Sequence, residues 1–414
     1  MGNRNLHILL VAGARPNFMK VAPVRHALDA RVEPSRKRGI DLRVSIVHTG
    51  QHYDANMSDV FFRELGIPAP DRHLEVGSGS HAEQTARIMV AFEKALLDDR
   101  PDLVVVVGDV NSTVACALTA KKMGIRVAHV EAGLRSFDMG MPEEINRKLT
   151  DAISDLLFVT EESGSANLRA EGIPADRIFT VGNVMIDTLV RNLARLESGE
   201  FVPSEPLREF CAPGRKYAVL TLHRPSNVDR VEIFLPLWRA IVEIARTAPI
   251  LFPVHPRTRA RIAATGWVPP ASGALRLLDP LPYVETLSLV DRAGLVITDS
   301  GGLQEETTYL GVPCLTVRPT TERPVTCEQG TNRLVAAERG AILVAAREAL
   351  AAGRPAPRAI ERWDGRTALR ILASAWGSAC WWATGQAWAS GSAAASASGS
   401  ACTPTSAIPS SSGF

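Results

Sequence analysis

Short runs of valine, isoleucine and leucine alternate with longer segments of helical period up to about residue 370, and that alternation leaves few folds open. The runs fall at 6–12, 41–48, 102–108, 125–130, 155–160 and 177–182, then at 217–222, 250–254, 275–279, 295–298 and 313–317. Several are continuous apolar stretches, as parallel strands covered on both faces require. Strand and helix repeating in this way predict a doubly wound α/β chain. A polar stretch over 191–215, with Pro203, Pro206, Pro213 and Gly214, interrupts the pattern. It is the expected linker between two Rossmann-like domains, 1–190 and 216–370, facing each other across a cleft.

The end of the chain differs. From Ile371 onward there is no Asp, Glu, Lys or Arg, and four of the seven tryptophans lie there: Trp376, Trp381, Trp382 and Trp388. Segment 371–414 is expected to be a low-complexity tail. Its abrupt onset suggests a shifted reading frame, which sequencing of the source DNA would decide. Over the full 414 residues the balance is that of a globular protein: 46% hydrophobic, 22% charged, net charge +2. No dense basic face for nucleic acid follows from it. No apolar run is long enough for a bilayer span. Cys116, Cys211, Cys314, Cys327, Cys380 and Cys402 form no Cys-x-x-Cys pair, so a reducing, cytoplasmic setting is expected.

Ligands of open α/β sheets bind at the carboxyl ends of the strands. Here those ends are crowded with functional groups. The first run delivers Gly13, Arg15 and Lys20; the 102–108 run delivers Asp109; the 125–130 run delivers Glu131 and Arg135. In the second half come His223 and Arg224, His255, the turn Asp299-Ser300-Gly301-Gly302, then Arg318 and Arg323. Taken singly, each has a plain structural explanation; Ser-Gly-Gly before a helix is usually a cap. Their coincidence at nearly every strand end predicts one composite site between the halves.

Three features point to a diphosphate. Arg15, Lys20 and Arg323 can neutralise phosphate charge. The turn Ser300, Gly301 and Gly302 offers backbone N–H groups at a helix start. Glu306, one turn on, can accept two ribose hydroxyls. No Walker motif is present and no metal or other cofactor is expected. Segment 142–153 reads as an amphipathic helix with Pro142 at its first position and Ile145, Leu149, Ile153 and Leu156 on one face. On spacing alone, Glu143 is a helix-dipole partner paired with Arg147.

The segments "GARPNFMK", "HTGQH", "GDVNST", "HVEAGLRS", "MPEEINRKLTDAISDLLFV", "TLHRPSN", "PVHPRTR", "ITDSGGLQEETTYLGVPCLTVRPTTERP" and "EQGTNRLV" occur in this order over about 6–370. As a set they resemble the non-hydrolysing UDP-N-acetylglucosamine 2-epimerases. The resemblance implies a glycosyltransferase-B type fold with a UDP-sugar in the cleft. It implies catalytic positions at Asp109, Glu131, Glu143 and His223, overturning the spacing-based reading of Glu143. It also implies substrate contacts from Arg15, Lys20, Ser300, Gly301, Gly302, Glu306 and Arg323. The implied reaction interconverts UDP-N-acetylglucosamine and UDP-N-acetylmannosamine by elimination and re-addition of UDP. A homodimer is the expected assembly. Gln51, His52 and His255 lie in matching motifs where a second, activating substrate could bind.

The sequence departs from the commoner family forms at Ala14 and Asn17, at Arg224-Pro225 and at Met139-Gly140. The family's closing helix after "WDG", which crosses back to the first domain, here runs into the charge-free tail. Three alternatives stay open: an epimerase of a modified UDP-sugar, a glycosyltransferase of the same fold, and an inactive UDP-sugar-binding paralogue.

Overall fold

The computed structural model describes residues 4–50, 62, 64–204, 207–208, 216–267, 273–356 and 359–377, without the side chains of Arg15, Trp376 and Gly377. In the first half, β1 (Arg4–Ala12) leads to α1 (Arg15–Arg36), then β2 (Ile40–His48), β3 (Arg72–His73), α2 (His81–Asp98) and β4 (Leu103–Val107). There follow α3 (Asn111–Lys122), β5 (Arg126–Ala132), α4 (Pro142–Ile153), β6 (Leu156–Val159), α5 (Glu162–Ala170), β7 (Ile178–Thr180) and α6 (Val184–Glu197). All seven strands pair in parallel, in the order β3-β2-β1-β4-β5-β6-β7.

The second half repeats the plan. Its elements are β8 (Ala218–Thr221), α7 (Pro225–Val228), α8 (Val231–Ile244), β9 (Ile250–Pro253), α9 (Pro256–Ala264), β10 (Leu275–Leu278) and α10 (Tyr283–Arg292). Then come β11 (Leu295–Thr298), α11 (Gly301–Leu310), β12 (Cys314–Val317), α12 (Pro324–Glu328), β13 (Asn332–Val335) and α13 (Arg339–Ala352). The six strands are parallel in the order β10-β9-β8-β11-β12-β13. Both sheets reverse their winding direction beside their first strand, between β1 and β4 and between β8 and β11. Helices on either side of such a switch point diverge, opening a crevice at the carboxyl edge.

Burial explains the unbroken apolar runs. Leu103 to Val107 of β4 are all buried, as are Leu295 to Thr298 of β11, because helices cover both faces of each sheet. Eleven expected strands lie within a residue or two of the observed ones; β3 and β13 are additional. The doubly wound architecture is as expected. Helix α6 continues to Glu197, past the expected domain edge at 190.

The closing helix, α14 (Thr367–Gly377), continues beyond the expected break at about 370. Its first turn is tied to α6: the N–H groups of Thr367 and Ala368 donate to Asp187 at 3.0 and 2.8 Å. Arg370 donates to the Val181 carbonyl at 2.9 Å, so this helix start does return to the first half. Residues 378–414, with Trp381, Trp382 and Trp388, lie outside the described residues.

Helix α4 corrects the sequence-based expectation. Pro142 is its first residue, but the apolar face does not point inward: Ile145 and Leu149 are 41% and 52% exposed. The buried face carries Glu144, Asn146, Arg147, Thr150 and Asp151. Leu156 belongs to β6. Amphipathic periodicity identifies two faces of a helix, and it assigns the apolar one to the core only where the interior is apolar. Here the inner face meets the charged mouth of the crevice.

Candidate functional site

The site assembles from strand ends on both sheets. At the β5 end, the partner register of β6 shifts between Val130 and Ala132, and Glu131 sits in this bulge at φ +73°. A bulge re-aims a side chain, and a left-handed carboxylate residue is a strained choice held by its surroundings. The strand then turns at Gly133, φ +80°, where an added Cβ would lie 2.4 Å from the Gly164 carbonyl oxygen. Only glycine fits there, which lets α5 close against the bulge.

Glu131 is 4% exposed, and its carboxylate is gripped from both halves. Lys20 of α1 pairs with one oxygen. Arg323, at the start of α12 in the second half, reaches the other with Nη2 at 2.6 Å. The Lys20 and Glu131 side chains pass directly over Gly108, whose φ of +68° permits the approach. Asn17 holds the loop beneath: its Oδ1 accepts from the N–H groups of Gly13 and Ala14 at 3.2 and 2.8 Å, and its Nδ2 donates to the Val107 carbonyl at 3.0 Å.

Asp109 follows β4, next to β5, so the two carboxylates stand on neighbouring strands. Arg147 donates from Nη2 to Asp109 at 2.6 Å and from Nη1 to Glu144 at 2.9 Å. The pairing of Arg147 with Glu143 expected from spacing is therefore replaced by Glu144 and Asp109. Burial opposes ionisation of Asp109, but Arg147 and Lys20 outweigh it and hold its pKa below the usual value. Glu144 also accepts from the N–H groups of Ser136 and Phe137, at 2.9 and 3.1 Å, fixing the loop before α4. Glu143 is half-buried, on the turn whose charge acts on Arg224 across the crevice.

From the second sheet, His223 leaves β8 with Nδ1 3.0 Å from the fully buried Asp299. Asp299 also accepts from the backbone N–H groups of His223 and Arg224, at 3.1 and 2.9 Å from its Oδ2. With Nδ1 held there, the side chain remains 45% exposed. Ser300 is the N-cap residue of α11, yet its hydroxyl makes no cap bond, so the turn is not explained as an ordinary cap. A Cβ on Gly301 would stand 3.1 Å from both Arg323 Nη1 and Glu322 Oε1. A Cβ on Gly302 would stand 3.8 Å from Met185 Cε. Glu306 is buried; burial pushes its carboxyl up to about 7, the Tyr283 hydroxyl opposing and Glu305 adding to the rise. Glu161, at the end of β6, is likewise pushed up to about 7 by burial, with Ser163 opposing and Glu305 adding.

Arg323 is the hub. Each guanidinium nitrogen faces a different carboxylate: Nε lies 2.6 Å from Glu305, Nη1 3.0 Å from Glu322 and Nη2 2.6 Å from Glu131. Lys20 and Arg323 thus meet on Glu131, and Arg323 abuts Gly301; Asp109 is linked to this group through Arg147, 3.8 Å from Glu322, and His223 more remotely, through Asp299 and Arg224. The Arg15 side chain and residues Gln51 and His52 lie outside the described residues. Sequence reasoning gave Arg147 only a pairing with Glu143, assigned no role to Glu322 or Glu305, and did not identify Asp299 as the partner of His223. The strand-end rule reaches Asp299 directly; the others sit on helices and loops whose facing is set only in three dimensions. Among the described residues, no group of three or more His, Cys, Asp or Glu could hold a metal ion, and no helix is long and apolar enough to cross a membrane.

Comparison with known proteins supplies independent findings. The sequence model described as UDP-N-acetylglucosamine 2-epimerase matches residues 35–375. A curated UDP-N-acetylglucosamine 2-epimerase from Methanocaldococcus jannaschii is 43% identical over 334 residues, 80% of this chain and 88% of the relative. A UDP-2,3-diacetamido-2,3-dideoxy-D-glucuronate 2-epimerase from Pseudomonas aeruginosa is 42% identical over 350 residues, 83% of this chain and 92% of the relative. In three dimensions, the chain is similar to the M. jannaschii UDP-GlcNAc 2-epimerase crystallised with UDP-GlcNAc and UDP: TM-score 0.76, 40% identity, 89% of this chain and 99% of that one. The Neisseria meningitidis enzyme bound to UDP-GlcNAc gives TM-score 0.75 at 29% identity, covering 90% of this chain and all of that one.

Proposed function

Since the chain belongs to the UDP-N-acetylglucosamine 2-epimerase family, we propose that it inverts C2 of a UDP-linked 2-acetamido hexose in this cleft, with UDP-N-acetylglucosamine as substrate. The observation that carries the reading is Arg323: one guanidinium joins the Glu131 carboxylate of the first half to the Gly301 turn of the second. Such a link supports proton transfer and diphosphate binding at adjoining positions.

The C2–H of such a sugar has no neighbouring carbonyl to acidify it, so the reaction runs through elimination. A carboxylate takes the C2 proton while the C1–O bond breaks towards the diphosphate, giving UDP and a 2-acetamidoglucal. Re-addition of UDP at C1, with a proton delivered to the opposite face of C2, yields the manno isomer. Asp109 and Glu131 are proposed for base and reprotonation, with Glu143 supporting them, because acid and base must reach both ring faces. His223, oriented by Asp299, would assist the leaving phosphate oxygen. Arg15, Lys20 and Arg323, with the backbone of Ser300, Gly301 and Gly302, would stabilise the departing charge. Glu306 would accept the ribose hydroxyls.

An NMR time course with UDP-N-acetylglucosamine alone in D₂O tests this. Formation of UDP-N-acetylmannosamine with deuterium at C2 is expected. Free N-acetylmannosamine, or no reaction, would overturn it. The 42% identity to an epimerase of a diacetamido uronate makes the corresponding UDP-uronate the second substrate to test.

Glu306 adds a pH signature. A ribose donating two hydroxyl hydrogens selects the ionised carboxylate, and ionisation increases as pH rises through about 7. Affinity for UDP-N-acetylglucosamine should therefore fall about tenfold from pH 8 to pH 6. The diphosphate diester keeps its charge over that range. Calorimetric titration should show this dependence in the wild type and its loss in Glu306→Gln; a flat wild-type profile contradicts the ribose role.

The homodimer is proposed on the inverted helix. Right-handed crossovers place α2, α3 and α4 on one face of the first sheet, and α3 packs between the other two. Their outward sides expose Val90 and Leu97 of α2 and Ile145 and Leu149 of α4. Apolar surface of this kind suits a second copy. Sedimentation of a monomer at micromolar concentration would refute it.

A further inference from the structure

We propose that Glu322 is the resident anion of the diphosphate cradle, a carboxylate that the substrate diphosphate must displace and that therefore sets how tightly UDP is held. This rests on the reading of the cleft as a UDP-sugar site and adds a residue that the reading does not use.

Glu322 is 3% exposed and lies between β12 and α12, on the loop that also carries Arg323. Four arginines surround its carboxylate. Arg318 Nη2 is 2.9 Å from one oxygen; Arg323 Nη1, Arg147 Nη2 and Arg224 Nη2 are 3.0, 3.8 and 4.0 Å from the other. These cations come from both halves of the molecule. The same oxygen stands 3.1 Å from where a Cβ on Gly301 would be, so the carboxylate abuts the first residue of α11. Cations and a helix start converge on one point, and the chain's own anion is there. Burial opposes ionisation of Glu322, but Arg323, Arg318, Arg147 and Arg224 overcome it and hold its pKa far below the ordinary value.

An ionised carboxylate in this place has two opposed consequences. As a strut, it would hold the arginines in position for a diphosphate, and its loss would weaken binding. As a competitor, it occupies the guanidinium faces that a diphosphate needs, and its loss would strengthen binding. The contact with Gly301 favours the competitor, because a strut would hold the arginines from behind and leave the turn clear. Arg318 Nη1 and Glu322 Oε2 are buried without a well-formed hydrogen bond, as expected of a cluster that a larger, better-matched anion can re-pair. In an elimination mechanism UDP must leave C1, return to it and finally depart from the protein. A resident anion that recaptures the arginines lowers the cost of each departure.

The test is calorimetric titration of the full chain and its variants with UDP and with inorganic pyrophosphate. Glu322→Gln keeps the side-chain volume and removes the charge; both ligands should bind about tenfold more tightly or better. Glu322→Asp withdraws the carboxylate by one methylene and should give about threefold tighter binding. In steady-state assays, KM should fall with kcat in Glu322→Gln, since UDP is released more slowly. Weaker binding in Glu322→Gln, or in Glu322→Asp should the former fail to fold, makes Glu322 a strut, and unchanged binding means that it does not compete; either overturns the proposal. If wild-type protein binds neither UDP nor its sugar, the UDP-sugar reading itself fails, and this inference with it.

Discussion

Replacing Glu131 with glutamine is expected to lower turnover by about 10²–10⁴-fold, the range typical of a lost general acid or base. The side chain keeps its size but can no longer take or return a proton. Its position argues for the assignment. A glutamate at φ +73° in a bulge costs on the order of 1–3 kcal/mol relative to relaxed backbone, and a glycine would remove that cost. What the glutamate supplies is a carboxylate between Lys20 and Arg323, beside Gly108. Deuterium incorporation at C2 should fall in proportion to turnover, while UDP affinity changes only a few-fold. Near-normal exchange in Glu131→Gln would remove this residue from proton transfer.

Arg323→Ala should have the largest effect on stability. Its side chain is 7% exposed, and its guanidinium faces Glu131, Glu305 and Glu322. Each carboxylate tolerates burial because of it; Glu305 in particular is buried, with a pKa raised by burial that Arg323 restrains and Glu131 raises further. Removing one partner of a buried ionic cluster typically costs about 3–5 kcal/mol, and here three anions lose it at once. The urea midpoint should drop accordingly, and the drop should shrink as pH is lowered and Glu305, whose pKa is raised by burial, takes up a proton. Arg323→Lys should recover part of the loss, since one ammonium cannot face three carboxylates in a plane. An unfolding midpoint within experimental error of wild type would mean that solvent enters and screens the cluster. Diphosphate binding should be lost in the same variant, because Arg323 also flanks Gly301.

The strands were legible because their signal is local. Residues 103–107 and 295–298 are apolar without interruption and could hardly be anything but covered strands. β3 escaped because it is the two-residue Arg72–His73 edge, defined by pairing with β2 and not by composition. β13 is a short edge strand in which Asn332 and Arg333 interrupt the pattern. The candidate site was legible through the strand-end rule, which finds Lys20, Asp109, Glu131, His223, Gly301 and Arg323 from their order along the chain. Asn17, a departure from the commoner form, proves to be the residue that pins the first loop.

What the amino-acid order determined by itself was therefore the alternation of buried strand and helix, the glycines where the chain turns back, and the crowding of ionisable groups at strand ends. These depend on interactions within a few residues, and a linear pattern records them directly. Tertiary structure alone decided which charge meets which: Arg147 with Asp109 instead of Glu143, Arg323 with three carboxylates from two sheets, and four arginines around Glu322. It also decided that α4 turns its apolar side outward. The physical reason is that Coulomb pairing and desolvation depend on distance in space and on the burial of both partners. Neither quantity exists until the two sheets are folded and set against each other.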